Sequence, residues 1–393
     1  MRRRLCTAAA AAFPAQPAEL SAAWLTSVLR SAGRIPPSAS VSAFTTTPLG
    51  ASVGLASTLC RVAATVTQPD APPVRLAAVA KFTPTDPEAR AFVQHMGMFA
   101  RECGFYTALR GRAAAVTAPA CWFAHHDAAT GAACLLLEDL DAGGWQAGDQ
   151  VAGASVEQAQ AVLEGAAKQH AAFWAHPLLP DWATWLPALD GAHFAAGDPS
   201  AAVFGAAWPR WRRRYPAALA LLPPHLPAAL DAAPGAFGGA AARLLRQLGR
   251  SPGTLLHGDL RLDNVVWRRD CGRLATRQLD MGDCASGRAA FDVAYFLSMS
   301  LEPSLRRAHQ DALLAHYAAA LRGAGVSDYP AAQLQADYRA ASAYSLCLAV
   351  GLGGGETEPE AMAPRRAALA AAVATRAATA LADLGPGALP GLA

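Results

Sequence analysis

The stretch that decides the fold lies at residues 255–267, which read LLHGDLRLDNVVW. An apolar pair, Leu255 and Leu256, leads into a polar turn, and an apolar run leads out of it. The turn carries Asp259 and, five residues later, Asn264. Aspartate and asparagine are common in loops, so the spacing alone carries little weight. The flanking apolar residues indicate a short buried strand on each side of the turn.

The residues that follow predict a β-hairpin. Residues 265–267 read as a strand, 270–272 (DCG) as a turn, and 274–279 as a returning strand. A hairpin of this length would bring Asp280 back beside Asn264. Carboxylate and amide oxygens are the hard ligands that Mg²⁺ prefers. The sequence therefore predicts a magnesium site formed by Asn264 and Asp280.

This order of residues matches the catalytic parts of a protein kinase. In the kinase loop His-Arg-Asp-Leu-x-x-x-Asn, the aspartate takes the proton of the acceptor hydroxyl and the asparagine holds magnesium. Asp259 and Asn264 fill those two positions, and Asp280 stands where the aspartate of Asp-Phe-Gly stands. Gly258 replaces the arginine. Asp259, Asn264 and Asp280 are therefore the candidate catalytic residues.

Three segments, 257–264 (HGDLRLDN), 279–280 (LD) and 291–297 (FDVAYFL), together resemble one group of kinases. The group is that of the aminoglycoside phosphotransferases and choline kinases, and the resemblance is strongest to its ecdysteroid-kinase-like (CHK kinase-like) family. It implies an α+β, bilobal, protein-kinase-like fold, with a small antiparallel-sheet N-lobe and a large, mainly helical C-lobe. Met281 departs from the family, which has an aromatic residue there.

The resemblance also implies domain boundaries. Residues 1–17 are expected to form an N-terminal extension that may be disordered. The N-lobe, which would bind the nucleotide, is expected at 18–140, and the helical C-lobe with the catalytic loop and the acceptor pocket at 141–393.

The implied activity is transfer of the γ-phosphate of Mg-ATP to a hydroxyl of a small metabolite, so the implied cofactors are ATP and Mg²⁺. Sterol-like, amino-alcohol and aminoglycoside-like acceptors all stay open. The alternative is a non-catalytic pseudokinase scaffold that binds nucleotide or a lipid. A protein kinase is disfavoured, because Asp292 comes only twelve positions after Asp280 and no Ala-Pro-Glu closes an activation segment. Asp292 is expected to be structural.

The N-terminal half contains candidate phosphate-binding residues. Residues 48–54 (PLGASVG) form a glycine turn between two predicted strands, and the backbone at Gly50, Ser52 and Gly54 is expected to approach phosphate oxygens. A third predicted strand ends at Lys81, one of two lysines in a chain with 31 arginines. An ammonium is a compact point charge, which suits contact with phosphates.

One long helix is predicted over residues 87–110. Glu102 on this helix is the expected partner of Lys81, since a Lys–Glu pair fixes the lysine for phosphate binding. Glu88 is the rival partner, but an acid near a helix start can simply complement the helix dipole.

Residues 134–140 (CLLLEDL) are predicted to be a buried strand that runs into a hinge. The resemblance implies that the hinge backbone holds adenine, which makes Glu138 and Leu140 candidate nucleotide-binding residues. Glu138 and Asp139 could touch the ribose or could only cap the next turn, and the sequence does not separate the two.

Several polar residues near the site are expected to have no chemical role. His170 and His257 are predicted to be packed structural histidines, and Asp263 and Asp283 solvated loop acids. The tryptophan-rich segment 181–248 either lines the acceptor pocket or anchors irregular helices.

Composition and charge limit the partners and the compartment that the protein can have. The 393 residues carry a net charge of +3, which does not favour nucleic acid or an anionic membrane as a partner. Eight cysteines without a Cys-x-x-Cys pair indicate reduced thiols and a cytoplasmic protein, although the basic residues 1–5 weakly favour an organelle. No run reaches the roughly 20 apolar residues of a membrane span. The oligomeric state stays open.

Overall fold

The computed structural model describes residues 13–49, 57–109, 117–191, 199–232, 234–356 and 362–385. The chain divides into two compact units. The first comprises Met1–Arg110 and Pro119–Gly144, and the second Gly111–Ala118 and Trp145–Ala393. An antiparallel sheet dominates the first unit and helices dominate the second. The α+β class predicted from the sequence is confirmed.

The first unit is built on a five-stranded antiparallel sheet of order β1-β2-β3-β5-β4. Its elements, in chain order, are α1 (Ala22–Ser31), β1 (Ser40–Leu49), β2 (Thr58–Gln68), β3 (Ala71–Phe82), α2 (Pro87–His95), α3 (Met98–Leu109), β4 (Cys121–His126) and β5 (Ala133–Glu138).

The two faces of this sheet have different partners. Alternate residues of β2, such as Cys60 and Val62, are buried in one core with Leu25 and Leu29 of α1. Successive residues of a strand point to opposite faces. Leu59 pairs with Lys81 and Arg61 pairs with Val79, so Lys81 and Arg61 share the other face.

The prediction of one long helix over residues 87–110 is wrong. Helix α2 ends at His95 and α3 begins at Met98. Gly97 between them has a φ of 67°, in the left-handed region, which interrupts the ladder of helical hydrogen bonds. A glycine within a helical pattern does not by itself predict such a break, which is why the pattern read as continuous.

The second unit is mainly helical. Its helices are α4 (Val156–Ala172), α5 (Pro199–Arg214), α6 (Pro216–Leu219), α7 (His225–Ala232), α8 (Pro234–Leu248), α9 (Ala290–Ser300), α10 (Pro303–Gly323), α11 (Ala331–Gly353) and α12 (Pro364–Asp383). Its strands are β6 (Gln146–Ala147), β7 (Thr254–Leu256), β8 (Val265–Asp270), β9 (Arg273–Gln278) and β10 (Ala285–Gly287).

Tryptophans of the 181–248 segment pack inside this unit. The ring of Trp208 stacks on Phe204 at 5.7 Å and on Trp211 at 5.5 Å, and all three side chains are fully buried. These residues therefore anchor α5 in the core, as one of the two interpretations held.

The hairpin predicted after the catalytic loop is confirmed. Strands β8 and β9 pair antiparallel with Val265 opposite Gln278. Cys271, whose thiol is exposed, lies in the turn between them with a φ of 46°. None of the helices that the structure describes is long and apolar enough to cross a membrane.

Candidate active site

Asp259 lies at the centre of the loop that joins β7 to β8, and both of its carboxylate oxygens are held. Oδ1 accepts a hydrogen bond from the Tyr295 hydroxyl at 2.5 Å. Oδ2 accepts from Asn264 Nδ2 at 2.8 Å and from Arg261 Nε at 3.1 Å. The carboxylate is only partly buried. The loop thus presents an oriented carboxylate that is still within reach of solvent.

The side-chain amide of Asn264 has a defined orientation. Its Nδ2 also donates to the carbonyl oxygen of Asp259, at 3.0 Å. Both acceptors are oxygens, which only the NH₂ group of the amide can satisfy. The amide oxygen is therefore the atom turned away from Asp259, and it is a suitable ligand for a hard cation.

The β8–β9 hairpin returns Asp280 to the neighbourhood of Asn264. The N–H of Leu279 donates to the carbonyl oxygen of Asn264 at 2.8 Å. Asp280 follows with φ 62° and ψ 74°, a left-handed conformation that costs energy for a residue other than glycine. The negative charge of Asp259 above all, and those of Asp263 and Asp280, raise the pKa of Arg261. Asp259, Asn264 and Asp280 thus come together in the second unit.

Gly258 has no room for a side chain. Its φ is 82°, and a Cβ atom there would lie 1.9 Å from the carbonyl oxygen of Asp283. The arginine of the protein-kinase motif cannot occupy this position in this backbone.

Asp292 holds the start of the catalytic loop. Its Oδ2 accepts from the N–H of His257 at 2.7 Å, and its Oδ1 accepts from the N–H of Gly258 at 3.0 Å. Burial alone would raise the pKa of this carboxyl, but the hydrogen bond from His170, the charges of His170 and His257 and the backbone bond from His257 hold it below its ordinary value. Asp292 is structural, as predicted.

The two histidines complete this framework. His170 is fully buried and lies between the Tyr317 hydroxyl, 2.8 Å from Nδ1, and Asp292 Oδ2, 3.1 Å from Nε2. His257 donates from Nε2 to the carbonyl oxygen of Leu279 at 2.9 Å, and its Nδ1 accepts from the Asp259 N–H at 3.3 Å. The prediction that both are packed structural residues is confirmed.

The expectation that Asp263 is solvated is wrong. Its side chain is 9% exposed. Oδ1 accepts from the Gln150 N–H at 2.8 Å and from Arg365 at 2.7 Å. These partners lie more than 100 residues away along the chain, so the loop sequence gives no sign of them. Asp263 ties the catalytic loop to the rest of the second unit. Asp283 is partly buried.

Lys81 in the first unit forms the ion pair that the sequence predicted. Its Nζ lies 2.6 Å from Glu102 Oε2, and both side chains are buried. The ammonium also lies 5.8 Å from the centre of the Phe99 ring. Helix α3 therefore supplies the acid that holds the strand lysine, and the choice of Glu102 over Glu88 is confirmed.

A sequence comparison decides the family. The model of the ecdysteroid kinase-like family matches residues 54–177 and 201–324. These segments include Lys81, the catalytic loop and Asp280. The chain belongs to the ecdysteroid kinase-like family. The resemblance read from the sequence is confirmed.

Solved structures similar to this ecdysteroid kinase-like protein are kinases and phosphotransferases. A microcompartment-associated aminopropanol kinase is 18% identical, with 85% of this chain and 90% of that chain covered and a TM-score of 0.45. A Plasmodium vivax ethanolamine kinase is 12% identical, with 94% and 89% covered and a TM-score of 0.48. The aminoglycoside phosphotransferase APH(2")-IIia, in its GDP and kanamycin complex, is 13% identical, with 84% and 90% covered and a TM-score of 0.44. No curated protein matches the chain.

The turn after β5 is held by an ion-pair cluster. Arg61 Nε lies 2.6 Å from Asp139 Oδ2, and another guanidinium nitrogen contacts Asp141. Asp139 Oδ1 accepts from the Asp141 N–H at 3.2 Å. Of the two predicted hinge residues, Leu140 is buried, and Glu138 Oε2 accepts from the Ala120 N–H at 3.1 Å.

The predicted phosphate-binding residues Gly50, Ser52 and Gly54 lie outside the described residues.

The donors present fit Mg²⁺ better than a metal that needs a full set of protein ligands. The described residues contain no group of three or more His, Cys, Asp or Glu side chains placed to hold a metal. Asn264 and Asp280 offer one amide oxygen and one carboxylate. Mg²⁺ in kinases takes one or two such ligands and fills its other positions with water and phosphate oxygens.

Sequence reasoning missed three residues of this site: Gln150, Arg261 and Tyr295. Gln150 is buried, and its Oε1 accepts from the Leu262 N–H at 2.7 Å. Only Tyr295 left a signal, since it stands three positions after Asp292 and therefore on the same face of a helix.

Proposed function

We propose that this protein is a kinase that transfers the γ-phosphoryl group of ATP to a hydroxyl of a small metabolite. The observation that carries the proposal is the Asp259 carboxylate, held by Asn264 and Tyr295, in the same loop and hairpin as Asp280. Membership of the ecdysteroid kinase-like family supports it.

Asp259 is proposed to orient the acceptor and to take its proton. The acceptor oxygen forms a bond to the γ-phosphorus while the bond to the β–γ bridging oxygen breaks, and ADP leaves. The acceptor proton passes late to Asp259. Phosphoryl transfer depends mainly on positioning and electrostatic stabilisation, so an oriented carboxylate suffices as the proton acceptor.

Asn264 and Asp280 are the proposed ligands of Mg²⁺, through the amide oxygen and the carboxylate. When bound there, the ion would offset the negative charge of the phosphates. Arg261 lies among Asp259, Asp263 and Asp280 and partly balances their charge before nucleotide binds.

The first unit is proposed to bind the rest of the nucleotide. Lys81, held by Glu102, supplies a positive charge for the phosphates. The backbone of Glu138 and Leu140 is proposed to hold the adenine, and that of Gly50, Ser52 and Gly54 the phosphates. The proposed acceptor is sterol-like, an amino alcohol or aminoglycoside-like.

The test is a screen of hydroxylated metabolites with γ-labelled ATP, run with the wild type and with D259N. We expect at least one acceptor to be labelled by the wild type, and turnover to be lost in D259N while nucleotide binding is kept. D270N is the matched control, because Asp270 is an exposed acid at the end of β8.

Turnover by D259N close to that of the wild type would remove Asp259 from this role. Nucleotide binding without transfer to any acceptor, with the wild type and D259N alike, would favour the pseudokinase scaffold instead. D280N tests the metal ligand separately, and we expect it to weaken Mg²⁺-dependent nucleotide binding.

A further inference from the structure

Helix α9 makes two separate contacts with the catalytic loop. Asp292, in its first turn, binds the N–H groups of His257 and Gly258. Tyr295, three residues later, donates its hydroxyl to Asp259 Oδ1 at 2.5 Å. Residues three apart share one face of a helix. One helical turn thus fixes both the backbone of the loop and the carboxylate of Asp259.

Without Tyr295 the Asp259 carboxylate would be held through one oxygen only. The χ2 torsion of aspartate joins an sp³ to an sp² carbon, and such torsions have broad minima. Asn264 and Arg261 both act on Oδ2. These two donors act on the same oxygen. Tyr295 is the described donor to the other oxygen, Oδ1, so its bond restrains χ2 from the opposite side of the carboxylate and narrows the orientations left open.

We propose that Tyr295 is a positioning residue for Asp259, and that its hydroxyl sets the plane of the carboxylate that receives the acceptor. This inference rests on the proposed kinase function. A carboxylate oxygen has more than one lone pair, so Oδ1 can accept from Tyr295 and from an acceptor hydroxyl together. The direction from which the acceptor approaches then depends on Tyr295.

The direction of the hydrogen bond supports this role. Burial above all, and the charge of Asp259 with it, raise the pKa of Tyr295 well above its ordinary value. The phenol therefore stays protonated at neutral pH, and Tyr295 donates while Asp259 accepts.

The test is the variant Y295F, which removes the hydroxyl and keeps the ring. We expect kcat to fall, by up to about 10²-fold, as for a mispositioned catalytic group. The KM for ATP should change less than the kcat, because Tyr295 contacts the carboxylate and not the nucleotide-binding residues.

Y338F is the matched control. Tyr338 is more deeply buried than Tyr295, and its hydroxyl donates to Gln310 Oε1 at 2.8 Å rather than to Asp259. Its loss removes a buried tyrosine hydrogen bond of the same kind, so a purely structural effect would appear in both variants. The fall in kcat at a nearly unchanged KM for ATP should appear in Y295F alone.

A second variant keeps the test usable if Y295F does not fold. With 3-fluorotyrosine at position 295 the ring and its hydroxyl stay in place and the hydroxyl donates more strongly, so the kcat should be at least that of the wild type. A kcat far below the wild type in that variant would overturn the proposal. So would an unchanged kcat in Y295F, and if the KM for the acceptor fell at the same time, Tyr295 would only occupy the acceptor's place. D259N separates the two claims: if D259N is active the kinase mechanism fails, whereas if D259N is inactive and Y295F behaves as the wild type, only the role of Tyr295 fails.

Discussion

Position 258 shows how one missing side chain shapes the catalytic loop. The backbone there is left-handed, and the Asp283 carbonyl oxygen fills the place of a Cβ atom. The loop and the segment after Asp280 can therefore approach each other this closely only because residue 258 has no side chain. This contact explains why a glycine stands where the protein-kinase motif has an arginine. The sequence shows the replacement but not its cause.

We expect G258A to lower the free energy of unfolding by about 3 kcal/mol or more, through backbone strain and the clash with Asp283. Turnover should be lost, because the loop must move. Urea unfolding and the kinase assay would measure both effects.

G272A is the control for backbone strain alone. Gly272 has a φ of 79°, and a Cβ atom there would meet nothing within 4 Å. We expect a cost of about 1–2 kcal/mol from the left-handed conformation alone, with turnover kept. Equal costs in the two variants would mean that the contact with Asp283 does not matter.

Asp292 predicts a pH dependence of stability. Its pKa in the folded protein lies below the ordinary 3.8. A carboxyl whose pKa is lowered by folding contributes stability that is fully present above its unfolded pKa, about 3.9, and that is lost as the pH falls through the folded value. We expect D292N to be less stable than the wild type at pH 7. The difference should shrink below about pH 4, as the wild type loses this contribution. A difference that stays constant down to the acid transition, measured by urea unfolding at several pH values, would argue against a lowered pKa.

At the scale of single elements, strand β2 and the turn after β5 are joined by Arg61. This side chain lies on the same sheet face as Lys81 and binds Asp139 and Asp141. The turn that it fixes contains Leu140. The nucleotide binding that we propose for this turn should therefore depend on a strand that is distant in sequence.

We expect R61A to weaken ATP binding about two- to fivefold, since partly exposed ion pairs contribute up to about 1 kcal/mol. The effect should decline as salt is added, because screening weakens exposed charge pairs. R75A is the control, as Arg75 is an exposed arginine on the adjacent strand β3. Calorimetric titration with ATP at two salt concentrations would measure both, and equal losses in the two variants would exclude a specific role for Arg61.

Local patterns predicted the elements and the pairings close in sequence. The hairpin after Asn264 follows from residue spacing, and the Lys81–Glu102 pair follows from the kinase pattern. The break at Gly97 did not, because a glycine in a helical pattern is compatible with either a continuous or an interrupted helix. The burial of Asp263 did not either, because its partners Gln150 and Arg365 come from distant parts of the chain.

At the scale of the whole molecule, the last described helix reaches the catalytic loop through buried polar groups. Arg376 on α12 is 1% exposed and donates to the carbonyl oxygens of Gln150 and Val151, the latter at 3.1 Å. The Gln150 side chain in turn accepts from the Leu262 N–H. The loop is thus held directly by residues of α9 and α12. Residues of α4 and α10 support it through Asp292, so its geometry depends on the completed fold of the second unit.

We expect R376A to lower the free energy of unfolding by about 3–5 kcal/mol, because it leaves buried acceptors unpaired and breaks the ion pair with Glu302. The turnover of the folded fraction should fall as well, since Gln150 loses its support. R366A, a change of a less buried arginine on the same helix, should cost far less. Full activity in folded R376A would show that the loop keeps its shape without this helix.

The exposed thiol in the β8–β9 turn is a labelling point from which the site can be studied by fluorescence spectroscopy. Of the described cysteines, Cys271 is exposed, Cys121 is intermediate and the others are buried. A maleimide fluorophore would therefore attach preferentially at Cys271, in a C6S background because Cys6 lies outside the described residues. The dye would sit at one end of the hairpin, and Asn264 and Asp280 lie at the other end. Its emission would report whether a ligand occupies that other end, with both residues left unchanged.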